Sequence, residues 1–317
     1  MMVYYQDKIA SLRDLFGTQD VSVDEKTLKV GSKTYPIIND VIILSDPAHR
    51  DPATFAEDIQ FTFGEEWKTY SAVLPDHRKE FEGYFDAVDL AGWSQARVCD
   101  LGCGMGRWSA FAKDFCKEIV LVDFSDAIFE ARKNLAQASN ALFFMCDLKQ
   151  LPFRDNFADF LLCLGVLHHL PTPCLEEVRR LKRFSPKLLI FLYYALDNRP
   201  WYFRVLLKGV TAARRPLSRI RNRAFRKMFS WAGTWLTYVP LVMLGRVFQF
   251  FRAGRFIPLY DFYHDKSVRR IEQDVYDRFF TRIEQRVTRR QILELRDTFQ
   301  RVTVSERLPY WHFVCER

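Results

Sequence analysis

The sequence predicts an α/β protein: a mostly parallel sheet covered by helices on both faces. Three observations point there. From Ala96 to about Tyr194, short apolar runs alternate with helical stretches at strand–helix spacing. Within VCDLGCGMGRWS, residues 98–109, Gly102, Gly104 and Gly106 fall on alternate positions straight after such a run. The alternation then stops for about 90 residues, in a basic and aromatic stretch, before it resumes.

Composition suits this class. The chain has 317 residues, of which 49% are hydrophobic. That is enough for a large core and too apolar for a disordered chain. The opening MMVYYQDKIASLRDLFG carries Lys8 and Arg13 but no uninterrupted apolar core, so no signal peptide is expected. The seven cysteines form no CxxC pair. Buried, reduced thiols in a cytoplasmic protein are the reading, with no metal site.

The elements follow in order. Residues 1–50 read as a small β module: TLKV and TYPII flank Gly31-Ser32, and a turn at Asn39-Asp40 leads to VIIL. Residues 51–95 read as a mainly helical cap containing FTFGEEWKTYS. The core spans 96–196, with strands in ARVCDL, EIVLVDF, ALFFMCD, ADFLLCLG and KLLIFLYY. Helices are expected between them, with Ser125 as an N-cap and LEEVRRLKRF as an amphipathic turn pattern. Residues 197–275 read as a helical insertion. Residues 276–317 return to the core, with a helix from TRRQILELRDTF and closing strands from RVTVSERL and YWHFVCER. Thr288 and Gln291 have capping-box spacing.

A glycine loop between a strand and a helix places backbone amides at the carboxyl edge of the sheet, where ligands of such folds bind. Residues 102–107 read GCGMGR, so the G-x-G-x-x-G dinucleotide pattern is not met. Asp100 lies two positions before the first glycine. A carboxylate there repels a pyrophosphate and suits a ligand with an amino or sulfonium cation. Asp123 follows the loop at the spacing from which an acidic side chain grips ribose hydroxyls, and Asp147 ends a third strand.

At this point the chain resembles the class I S-adenosylmethionine-dependent methyltransferases, in the branch that acts on small molecules and lipid-like acceptors. VCDLGCGMGRWS, LVDFSDAIFEARKN, CDLKQLPFRDNFADF and LCLGVLHHLPTP resemble its four motifs, in order. The resemblance implies a Rossmann-like, seven-stranded sheet whose last strand is antiparallel, and S-adenosylmethionine as cofactor. It places Asp100, Gly102, Cys103 and Gly104 at the methionine end. Asp123 falls at the ribose and Asp147 and Leu148 at the adenine, with Phe124 and Leu164 also among the cofactor-binding residues. Cys99 and Met105 stand where family members vary. The small β modules that precede some relatives carry zinc cysteines; none is present here.

Methyl transfer from a sulfonium is an in-line displacement in which the protein aligns the acceptor and excludes water. An oxygen or nitrogen acceptor can need a base, and His168 and His169 end the fourth core strand at the same edge. They are the catalytic candidates, beside packing or loop-orienting roles; His264, His312 and Asp277 are further candidates. Trp67 and Tyr70 are expected at the cleft, or in aromatic packing against the sheet. Tyr276, Arg282 and Gln285 are expected near the acceptor, with Arg282 and Arg286 suited to a phosphate or carboxylate. A solvated charged face explains those residues equally.

The formal charge is +8, and it is concentrated. Between Pro200 and Tyr260 stand 12 Lys or Arg and no Asp or Glu. Met228 to Gly245 holds 18 residues without charge, interrupted by Ser230, Thr234, Thr237, Tyr238 and Pro240, so it is not expected to span a membrane. Three roles fit: an interfacial lid on anionic lipid, peripheral to the inner face of the membrane; a helical lid in water; or a nucleic-acid surface. The expected function is methyl transfer to a small or amphipathic acceptor, lipid-linked, polyketide-like or saccharide, at oxygen. An RNA methyltransferase and a catalytically silent cofactor-binding scaffold are the alternatives.

Overall fold

The computed structural model describes residues 4–44 and 71–317. Its strands are β1 Val21–Val23, β2 Thr27–Val30, β3 Lys33–Ile38, β4 Val41–Ile43, β5 Arg97–Leu101, β6 Glu118–Asp123, β7 Ala141–Met145, β8 Phe160–Leu164, β9 Lys187–Phe191, β10 Arg301–Val304 and β11 His312–Glu316. All eleven form one sheet in the order β1-β2-β3-β4-β7-β6-β5-β8-β9-β11-β10.

The centre is parallel. β7, β6, β5, β8 and β9 pair side by side in one direction. Their sequences are near-continuous apolar runs, and most of their residues are buried, as a strand covered on both faces requires. β11 runs antiparallel to both β9 and β10, as YWHFVCER is expected to. The chain winds outward from β5 in two directions, so a crevice opens at the carboxyl ends of β5 and β8.

Seven strands, β5 to β11, come from the core segments, and the four of the N-terminal module extend the same sheet. The N-terminal module does not stand apart: Ile42 and Ile43 of β4 lie in parallel register with Phe144 and Met145 of β7. Val41 and Ile42 are wholly buried. An apolar VII run needs cover, and the bare edge of β7 supplies it. The turn before it has positive φ at both Asn39 and Asp40, the pattern of a tight hairpin turn.

Of the expected helical cap, Asp76–Tyr84 is a helix and Ala91–Trp93 a single turn. Trp67, Tyr70 and the rest of that stretch lie outside the described residues. Thr288 and Gln291 form the capping box, each side chain reaching the other's backbone. Ser125 receives Ala127 N–H on its hydroxyl at 3.3 Å, while Asp126 occupies the cap position.

The insertion is helical. Trp201–Leu217 is followed by Arg223–Gly233, a π turn at Thr234–Tyr238, Val239–Gln249 and Val268–Phe280. Among the described residues, no helix is long and apolar enough to cross a membrane. Its footing is electrostatic. Glu284 accepts from Arg214 at 2.6 Å and from Arg286 at 2.7 Å, and Arg199 pairs with Asp261 at 2.7 Å. Glu80 of the Asp76–Tyr84 helix holds Arg270 at 3.0 Å.

Candidate active site

The glycine loop is built from left-handed turns. Gly102, Gly104 and Gly106 have φ of +76°, +55° and +76°. Gly102 and Cys103 donate their N–H groups to the Val122 carbonyl, at 2.7 and 3.1 Å, which pins the loop to β6. Gly104 N–H donates to Asp123 Oδ2 at 2.8 Å. Asp123 Oδ1 accepts from Ser125 N–H at 2.8 Å and Ser125 Oγ–H at 2.7 Å. The carboxylate at the end of β6 is thus fixed by the loop it faces.

Two acids lie buried here. Burial pushes Asp100 up to about 6, against the Ser109 hydroxyl that donates to it at 2.6 Å. Asp123 is also raised by burial, and its negative charge lifts Asp100 further. A cation placed between such groups would lower both.

A cavity of about 640 Å³ opens above the loop. Gly102, Cys103, Asp123 and Phe124 line it from the first two motifs. Asp147, Leu148 and Leu164 line it from the next two; Asp147 Oδ1 accepts from Lys149 N–H at 2.9 Å. Asp100 and Gly104 do not line it; Asp100 accepts from the Ser109 hydroxyl, and Gly104 N–H donates to Asp123. The opposite wall comes from the insertion, with Phe203, Leu206, Leu207, Val210, Tyr238 and Leu241.

The two histidines part company. His168 is fully buried, neither ring nitrogen has a partner, and it stacks on Tyr193 at 3.9 Å between centroids. It does not line the cavity, and burial holds its pKa well below 6.5. His169 lines the cavity and its Nδ1 lies 2.8 Å from the Ile283 carbonyl. A carbonyl only accepts, so Nδ1 carries a proton.

The residues expected near the acceptor are not brought together. Tyr276 packs with Phe280, Leu217 and Phe225 in a small apolar cluster away from the lining. Arg282 is exposed and also away from it. Gln285 ties the loop after His169: its amide donates to Leu170 and Thr172 carbonyls at 2.8 and 2.7 Å and accepts from Cys174 N–H. His312 joins Asp86 and the Pro309 carbonyl, each at 2.6 Å. Arg286 does line the cavity. So does Asp277, which accepts from the Tyr193 and Thr281 hydroxyls, each at 2.7 Å.

The sequence pattern did not point to Tyr193, Arg199, Tyr238 or Arg278, all of which line the cavity. Arg278 shares a helix with Tyr276 and sits one turn before Arg282. The signal was the phase of that helix, in which Ile271, Val275 and Phe280 form the buried side.

Comparison with known proteins follows the same motifs. Residues 99–186 match the family model described as a methyltransferase domain. Over 102 residues the chain is 31% identical to the tRNA (carboxymethyluridine(34)-5-O)-methyltransferase alkbh8 of Xenopus tropicalis, covering 30% of this chain and 15% of that protein. Over 94 residues it is 32% identical to an uncharacterized protein of Methanocaldococcus jannaschii, covering 29% of this chain and 39% of that one. A solved S-adenosylmethionine-dependent methyltransferase from Aquifex aeolicus superposes with a TM-score of 0.35 at 19% identity, covering 45% and 86% of the two chains. The matches to the first two proteins span less than half of their length. The loop, the two acids and the four ordered motifs thus fall within or at the edge of a methyltransferase domain matched over residues 99–186.

Proposed function

We propose that the chain moves a methyl group from S-adenosylmethionine to an amphipathic acceptor held between the glycine loop and the insertion. One observation carries the reading: a single cavity has the family's loop on one side and apolar side chains of the insertion on the other.

The residues present fit the cofactor. At Gly102 an added Cβ would fall 2.4 Å from Val166 Cγ2, so only bare backbone fits at the cavity edge there. Gly102 and Cys103 would hold the methionine end, with Asp100 supporting them from beneath. Asp123 beside Phe124 would hold the ribose, and Asp147, Leu148 and Leu164 the adenine. Bound there, the sulfonium supplies an already activated methyl group. The chain's own part is alignment and the exclusion of water, for which the insertion serves as lid. His169 is the residue able to take a proton from an oxygen or nitrogen acceptor, through Nε2. His168 packs beneath and holds Tyr193.

The outer face of the insertion supports membrane delivery of the acceptor. Trp231, Trp235, Leu236, Phe250 and Phe251 are exposed. They stand in a segment of 12 basic and no acidic residues. Anionic lipid attracts such a segment by about 1 kcal/mol per basic residue near the surface, and the aromatic groups suit the headgroup boundary. The similarity to a tRNA methyltransferase covers 30% of this chain and 15% of that protein, so it does not fix the acceptor.

Partitioning among anionic vesicles, neutral vesicles and structured RNA at low and physiological salt tests the reading. The comparison is with a variant carrying Trp235→Ser, Leu236→Ser, Phe250→Ser and Phe251→Ser. Retention on anionic vesicles at physiological salt, lost in the variant, is expected. Selective retention on RNA would move the acceptor to nucleic acid. Retention on neither would make the insertion a lid over a water-soluble metabolite.

A further inference from the structure

The cavity holds a cation that makes no ion pair among the described residues. Arg278 lines the cavity from the Val268–Phe280 helix and is half-buried. Each neighbouring arginine has a carboxylate: Arg270 has Glu80 and Asp274, Arg286 has Glu284, and Arg199 has Asp261. Among the described residues, Arg278 has neither an ion pair nor a hydrogen bond.

The nearby carboxylates are already committed. Asp274 takes Arg270 and the Tyr263 hydroxyl, the latter at 3.0 Å. Asp277 takes the Tyr193 and Thr281 hydroxyls. The groups that act electrostatically on the Arg278 guanidinium are the phenols of Tyr238, Tyr263 and Tyr193 and, more weakly, the Glu284 carboxylate, which is already paired with Arg214 and Arg286. Tyr263 and Tyr193 spend their hydroxyls on the two aspartates. Tyr238 is buried at 4% exposure, lines the cavity, and has no hydrogen-bond partner among the described residues. It closes the π turn Thr234–Tyr238, where the helix widens.

Arginine cannot shed its charge, and a guanidinium withdrawn from bulk water is costly without a counter-ion. Its five donors form a planar fork that matches phosphate or carboxylate oxygens. A phenolic hydroxyl beside it adds a further donor. The adjoining wall is apolar, with Leu206, Leu207, Val210 and Leu241.

We propose that Arg278, with the Tyr238 hydroxyl, binds an anionic group, phosphate or carboxylate, of an acceptor whose apolar part lies along Leu206, Leu207, Val210 and Leu241. The proposal rests on reading this cavity as the acceptor site.

Calorimetry with four probes below their micellar concentrations tests it: decyl phosphate, decanoate, decanol and inorganic phosphate. The full chain binds at least one of the two anionic amphiphiles about tenfold or more tighter than decanol, the lower end for a charge-assisted contact. Arg278→Met erases that preference and leaves decanol binding unchanged, Arg278→Lys restores part of it, and Tyr238→Phe reduces it severalfold. Equal binding of all three amphiphiles, or a preference that survives Arg278→Met, overturns the proposal. Inorganic phosphate binding as tightly as decyl phosphate overturns the apolar half and points to a free anion. S-Adenosylhomocysteine, titrated into each variant, separates two further cases. A large loss of its affinity in Arg278→Met would assign the arginine to the cofactor's own carboxylate and overturn the proposal. Failure of the unmutated chain to bind it would remove the methyl-transfer reading, while an anion preference lost in Arg278→Met would still establish the subsite. Thermal unfolding of each variant guards against loss of fold, and Arg278→Lys remains the informative comparison if Arg278→Met is unstable.

Discussion

Replacing Gly102 by alanine tests the loop and the site together. The residue has φ of +76°, and an added Cβ would sit 2.4, 2.8 and 3.2 Å from Cγ2, Cγ1 and Cβ of Val166. The left-handed backbone alone costs about 1–2 kcal/mol for an L side chain, offset by about 0.4–1 kcal/mol because alanine stiffens the unfolded chain. The clash is with a β-branched side chain close to its own backbone, so relief requires backbone movement, at about 1–3 kcal/mol. The total is about 1–5 kcal/mol. Gly31 supplies the comparison: its φ is +57°, but nothing lies within 4 Å of an added Cβ. Gly31→Ala is therefore expected to cost about 1 kcal/mol, the conformational part alone. Urea unfolding of both variants gives the difference, and calorimetry with S-adenosylhomocysteine gives the effect on binding. Gly102→Ala should lose both stability and affinity, and Gly31→Ala should keep its affinity. If Gly102→Ala proves no less stable than Gly31→Ala and binds the ligand as well, the close approach to Val166 is not what shapes the loop.

Asp123→Ala is expected to weaken S-adenosylhomocysteine binding by about 1–3 kcal/mol, since it removes the proposed ribose acceptor and the anchor of Gly104 N–H; unchanged affinity in calorimetry would sink the assignment. His168 stays neutral in the fold, while the unfolded chain takes up a proton below about 6.5, so the protein loses stability as pH falls through that value. His168→Phe removes this loss, and its advantage over the unmutated chain should grow by about 2 kcal/mol between pH 7 and pH 5; parallel stability profiles would refute a buried neutral ring. Glu284→Ala leaves Arg214 and Arg286 without their shared carboxylate, at about 3–5 kcal/mol for a buried pair broken on one side. Hydrogen exchange across 201–217 should then rise selectively, whereas a uniform rise over the whole chain would mean that the ion pairs do not tether the insertion.

What the sequence disclosed was local. The glycine loop, the strand alternation, the Asn39-Asp40 turn and the Thr288–Gln291 capping box each depend on residues within a few positions of one another. What it withheld depended on distance or on phase. Nothing near Ile42 indicates that its partner is Phe144, about 100 residues on, so the module reads as a separate unit when it is part of the sheet. Helical phase misled in the return segment. The Val268–Phe280 helix ends before Arg282, which therefore leaves the face that Asp277 and Arg278 share with the cavity. His168 and His169 are adjacent in sequence and opposite in setting, because the short turn at Leu167–His169 sends one ring into the core and the other to the cavity.

The pairing of β4 with β7 bears on how the chain reaches this fold. β7 is the apolar run ALFFM, buried along its whole length, and until β4 arrives its outer edge is open. Closing a loop of about 100 residues is a slow, non-local event, and parallel pairing adds no hairpin to guide it. During that interval the edge is a template for a strand from another molecule. The first forty-odd residues thus cover that edge, with the Tyr5 hydroxyl hydrogen-bonded to the Phe143 backbone. A shortened chain that starts at Ala96, just before β5, would keep every residue of the four motifs and lose that cover, and aggregation rather than inactivity is expected as its characteristic failure.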